Sequence, residues 1–112
     1  MDTTRRVVVT GMGVVSPLGN KVSDFWQNLA AGKSGITKLS IIDPEPYPSK
    51  IAGQVLDFDP TEYIDGKEAR RMDRVAQFAV TAASQAVADS AIVPENEDPA
   101  KLGVIIGSGS GG

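Results

Sequence analysis

The sequence predicts an α/β fold, and three observations predict it. Two unbroken apolar runs, Arg5 to Val9 (RRVVV) and Leu102 to Ile106 (LGVII), have the character of strands buried on both faces, as in parallel or mixed sheets. Between them lie a short and a long helical pattern, with a further strand-like stretch separating the two. The expected order is therefore strand, helix, strand, long helix, strand.

Each element has its own justification. Arg5 to Val9 is a β-branched run entered from charged residues, and Thr10 to Asn20 (TGMGVVSPLGN) follows it as a glycine-rich loop. Within that loop, Gly11-Met12-Gly13-Val14-Val15-Ser16 imitates the dinucleotide fingerprint G-x-G-x-x-G/A. The imitation is poor. Ser16 replaces the third small residue, Pro17 interrupts the turn that should open a helix, and no second strand ends in an acidic residue at the required distance. Ser23 to Ala31 reads as an amphipathic helix with Ser23 as N-cap, Phe25, Trp26, Leu29 and Ala30 turned inward, and Gly32 as its stop. Lys33 to Pro48 is expected to be a loop, because Pro44, Pro46 and Pro48 lack amide donors. Lys50 to Leu56 reads as an edge or bulged strand broken by Gly53, and Asp57 to Pro60 as a turn.

Lys67 to Ser90 is the longest run free of Gly and Pro, and it has two halves. From Asp73 to Asp89 the apolar positions form a wide, Ala-rich stripe that predicts a helix covered on most sides. In the first half Lys67, Arg70, Arg71 and Arg74 fall at i, i+3, i+4 and i+7, one face of a continuous helix. Asp65 and Glu68 fit a capping box, and Asp73 can cap a second segment, so a bend is expected near Met72. Two readings of the basic face stand side by side. It is a solvated helix side paired with Glu62, Asp65 and Glu68, or it is a docking patch for an acidic or phosphorylated partner. After the helix, AIVPENEDPA is an acidic surface loop, and GSGSGG after the last strand is expected to be a turn where backbone passes close to a ligand or another chain.

Composition narrows the function. The 112 residues are 41% apolar and 22% charged, ordinary for a globular protein, with a formal net charge of −3 that argues against nucleic acid as a partner. No run approaches a membrane span, and MDTTRRVVVT lacks the apolar core of a secretory signal, so a cytoplasmic protein is expected. There is no Cys and no His, which removes thiolate nucleophiles, imidazole bases and the usual zinc ligands from these residues. No cofactor and no metal is expected.

Taken together, RRVVVTGMGVVSPLGN, FWQNLAAGKSGI, KEARRMDRVAQFAVTAASQAVADS and GVIIGSGSGG resemble, in that order, the β-ketoacyl-acyl carrier protein synthases of the thiolase superfamily, specifically the elongating synthase II type. The resemblance implies a layered α-β-α-β-α fold of two related halves, usually a homodimer, with residues 1–112 forming the early part of the N-terminal half and the domain continuing beyond them. It also implies a decarboxylative condensation of malonyl-acyl carrier protein with an acyl-enzyme in fatty acid elongation. That chemistry uses a Cys nucleophile and two His, so this segment is expected to hold no catalytic residue and to be inactive alone. What it is expected to supply is a landing surface for the acidic acyl carrier protein at Lys67, Arg70 and Arg71, and a wall of the acyl pocket at Gly109 and Ser110. Ser110 departs from the branched apolar residue often found at that gate; a small hydroxyl there would widen the pocket, at a desolvation cost of about 1–3 kcal/mol if dry. The alternative is a non-catalytic thiolase-fold partner subunit of the chain-length-factor type from a polyketide synthase.

Overall fold

A computed structural model describes residues 4–112. Its elements in chain order are helix α1 (Val22–Ala30), strands β1 (Ile36–Lys38) and β2 (Ile51–Gly53), a one-turn helix α2 (Gly66–Ala69) and the long helix α3 (Arg74–Ser90). Single 3-10 turns stand at Pro60–Glu62, Pro94–Asn96 and Pro99–Lys101, each opened by its proline.

The helical half of the expectation is realised closely. Asp65 accepts from the amides of Lys67 and Glu68 and so starts α2. Asp73, with extended backbone at ψ 169, accepts from the Ala76 amide and starts α3. The chain breaks between them: Arg71 and Met72 donate to the carbonyls of Glu68 and Ala69 in a tightened last turn. The capping box is only half formed, because Glu68 turns instead to Arg71 at 3.7 Å. Helix α1 ends as expected, with Gly32 in the left-handed region at φ 71. Its N-cap is Lys21, without a side-chain cap bond, and Ser23 lies inside the first turn. Trp26, expected in the core, is 65% exposed.

The strands differ most from expectation. Neither Arg5–Val9 nor Leu102–Ile106 belongs to a sheet; both are exposed, with Val7 at 92% and Ile105 at 98%. A strand exists only through the ladder it makes with a neighbour, and among the described residues neither run has one. The sheet that does form is an antiparallel pair, β1 against β2, with Thr37 opposite Ala52. Half of it arises within Lys33–Pro48, expected to be loop throughout. The prolines occupy only the connection, where Tyr47 closes a turn onto the Pro44 carbonyl, so Ile36 to Lys38 is free to pair. Gln54, nearly fully buried, holds the hairpin: its amide nitrogen donates to the Thr37 hydroxyl and the Lys38 carbonyl, and its oxygen accepts from the Ser40 and Ile41 amides.

Apolar burial is sparse. Ile64 and Ala69 are buried under the bend, and Thr81 is buried on α3, whereas Val80 and Val87 of the same helix are exposed. The radius of gyration, 17.4 Å, exceeds the roughly 13 Å of a compact domain of this length. The expectation that α3 is covered on most sides is met in part, by the glycine loop against Ala82 and Ala86 and by Phe58 and the Pro60–Glu62 turn, while an open apolar trough of about 470 Å³ separates Phe78 and Ala82 from the exposed Ile105 and Ile106.

Candidate functional site

The glycine loop has a mechanical role. A Cβ at Gly13 would stand 1.9 Å from the Ala82 carbonyl oxygen, and one at Gly11 would stand 2.2 Å from that of Ala86. Only glycine permits this approach. Its amides are engaged as well: Met12 donates to Asp89 Oδ2 at 2.9 Å and Val14 donates to Gln85 Oε1 at 3.0 Å. Gln85 Nε2 then donates to the Asn20 carbonyl at 2.7 Å, closing the loop onto α3. Two of the loop's amides are thus taken up by α3, and the close approach to Ala82 and Ala86 gives Gly11 and Gly13 a role in helix packing.

The basic segment is split by the bend. Lys67, Arg70 and Arg71 are exposed on and just after α2. Arg71 makes the 3.7 Å pair with Glu68, while among the described residues Lys67 and Arg70 make no ion pair. Asp65 is engaged in capping, and Asp59 in capping the Pro60–Glu62 turn, where its carboxyl is held below the ordinary carboxylate range first by the Thr61 hydroxyl and then by the Thr61 amide. The solvated, internally paired reading is thus realised at one residue of the three. Arg74 has left the group. It donates to the Val55 carbonyl, and its guanidinium lies 4.9 Å from the Phe78 ring centre and 5.6 Å from that of Phe58.

The glycine turn reaches the start of α3 at Asp73. Ser108 Oγ accepts from the Gly111 amide at 2.9 Å, and Gly111 has φ 75. Gly112 lies so near the Asp73 carboxylate that a Cβ there would be 2.1 Å from Oδ2. Gly109 has open space on its Cβ side and Ser110 is exposed; neither lines the trough beside α3. Sequence reasoning missed Gln77, Gln85 and Asp89, polar positions on α3 whose sequence signal is only that they interrupt an Ala-rich stripe. Among the described residues no helix is long and apolar enough to cross a membrane.

With this arrangement, the chain belongs to the family described as beta-ketoacyl synthase, N-terminal domain, whose model matches residues 4–112. Two curated relatives are named 3-oxoacyl-[acyl-carrier-protein] synthase 2. The chain is 51% identical over 108 residues to that protein of Coxiella burnetii (strain RSA 493 / Nine Mile phase I), covering 96% of this chain and 26% of the relative. It is 46% identical over 112 residues to that of Staphylococcus aureus (strain N315), covering 100% and 27%. Among solved structures it resembles the ishigamide ketosynthase/chain length factor, with a TM-score of 0.73 and 37% identity over 82% of this chain and 23% of the other. The fold is thus ketosynthase-like, and the chain spans about a quarter of the length of the curated relatives it matches.

Proposed function

We propose that residues 1–112 are the early part of the N-terminal domain of a β-ketoacyl-acyl carrier protein synthase, an acyltransferase that condenses an acyl-enzyme with malonyl-acyl carrier protein in fatty acid elongation. The family membership carries this reading, and the shared name of the relatives supports it over a chain-length-factor role. The layered thiolase architecture, the homodimer and the cytoplasmic setting belong to the same proposal. The nucleophile and the groups that stabilise the enolate come from elsewhere in the protein, since these residues contain no Cys and no His.

In this reading Lys67, Arg70 and Arg71 receive the acidic carrier protein. The supporting observation is that all three are exposed and, among the described residues, only Arg71 is partnered by a carboxylate. Charge complementarity at an exposed patch acts mainly on encounter rate and salt dependence. In the complete enzyme, Lys67→Ala, Arg70→Ala and Arg71→Ala should each raise KM for acyl-carrier substrates, flatten its dependence on NaCl and leave kcat unchanged. Unaltered salt dependence in all three would remove the docking role.

Gly109 and Ser110 form part of the acyl-pocket wall in the same reading, with Ser110 as a permissive gate. The supporting feature is the small side chain of Ser110 on a turn that Gly111 bends through φ 75. Ser110→Ile should narrow the range of acyl lengths turned over, with long chains losing most. An unchanged length profile would end the gate assignment.

A further inference from the structure

We infer that Arg74, together with Gln77, is a positioning pair that sets where the Lys67, Arg70 and Arg71 charges stand, and that Arg74 is not a fourth docking cation. The inference rests on the carrier-protein reading above.

The sequence spacing would align all four cations only on an unbroken helix. The chain does not continue helically: α2 closes at Ala69, and Asp73 is extended before α3 begins. Arg74 therefore starts a new helix, and its side chain runs toward the exit of β2. There it donates to the Val55 carbonyl and lies against two rings, Phe58 and Phe78, that themselves meet edge-on with centres 4.9 Å apart. A planar guanidinium suits such a place because it stacks on rings and donates in its own plane at once, which an ammonium cannot do. Arg74 is exposed, but its guanidinium is engaged by the Val55 carbonyl and by the Phe58 and Phe78 rings.

Gln77 stands one turn further along α3. Its Nε2 donates to the Ala69 carbonyl at 2.9 Å, a second donor beside the Met72 amide at the C-terminal end of α2, and so ties that end to α3. Ala69 is 3% exposed and Ile64, before α2, is 7% exposed, so the short helix is pinned from below as well. A single helical turn has almost no stability of its own. The direction in which Lys67, Arg70 and Arg71 point is consequently inherited from α3 and from the Phe58 loop, through Gln77 and Arg74.

The test uses the complete enzyme with acyl carrier protein as the probe, reading KM and kcat over a range of NaCl. Arg74→Lys keeps the charge and loses the planar fork. It should raise KM for the carrier-protein substrate roughly two- to fivefold, the range a lost exposed cation–π contact gives, with kcat and the salt slope unchanged. Gln77→Leu should move KM in the same direction, again without changing the slope. A wild-type KM in Arg74→Lys, with Arg74→Gln flattening the salt slope as the patch variants do, would make Arg74 a docking cation and overturn the inference. Should Arg74→Lys lower kcat or yield of folded enzyme, Phe58→Leu decides instead: it retains Arg74 and removes one ring, and an unchanged KM there is equally fatal. Failure of the docking reading is seen separately, as patch variants that leave the slope untouched.

Discussion

The segment from Asp65 to Ser90 and the two apolar runs at 5–9 and 102–106 carry equally strong sequence patterns, yet only the first has become regular structure. The difference lies in where each finds its hydrogen-bond partners. A helix draws them from its own chain four residues away, and the Asp65 and Asp73 carboxylates accept from first-turn amides that the backbone leaves without partners. A strand must borrow every partner from a neighbour, and LGVII has none among the described residues. Apolar patterning thus states a preference for burial without providing the surface that buries it.

The widest test of this contrast is thermal. The 112-residue polypeptide by itself should retain far-ultraviolet helical signal and bind a hydrophobic dye, yet melt broadly and without a cooperative transition, because Val7, Val104 and Ile105 stand uncovered. A sharp calorimetric transition would mean that those runs do find cover within these residues.

The next test separates contact from conformation. In the complete enzyme Gly13→Ala forces a methyl against the Ala82 carbonyl and should destabilise by about 1–3 kcal/mol, as overpacking does. Gly32→Ala meets no atom within 4 Å and pays only for a left-handed backbone at φ 71, a penalty of about 1 kcal/mol. Urea midpoints report both, and equal losses would show that the loop yields and that the glycine contact with α3 is soft.

The smallest effect concerns the bend. Asp73→Ala removes the Ala76 cap and should lower stability by about 1 kcal/mol, measured the same way. A null result would mean that Arg74 and Gln77 hold the start of α3 unaided.

The basic patch and the bend were legible in the sequence because capping is local: Asp65 and Asp73 each act within three residues. Gly11 and Gly13 were legible as a loop whose purpose the sequence could not state. A nucleotide turn and a close helix crossing demand the same residue for the same reason, the absence of a Cβ, and only the arrival of Ala82 and Ala86 beneath them decides. The hairpin was half missed because Ile36 to Lys38 is too short to show a period, and its pairing depends on Gln54 reaching back across the sheet.

By itself, the sequence determined the helices, the caps at Asp65 and Asp73, the break at Met72, the absence of any thiol or imidazole and, through four motifs in order, the family. Tertiary structure alone decided which of the four exposed cations is engaged by a carbonyl and two rings, what the glycines are for and whether the apolar runs become strands. The first set depends on interactions within a few residues of chain, which spacing encodes directly. The second depends on partners 19 to 77 positions away, from Arg74 and Val55 to Met12 and Asp89, and no local pattern specifies them.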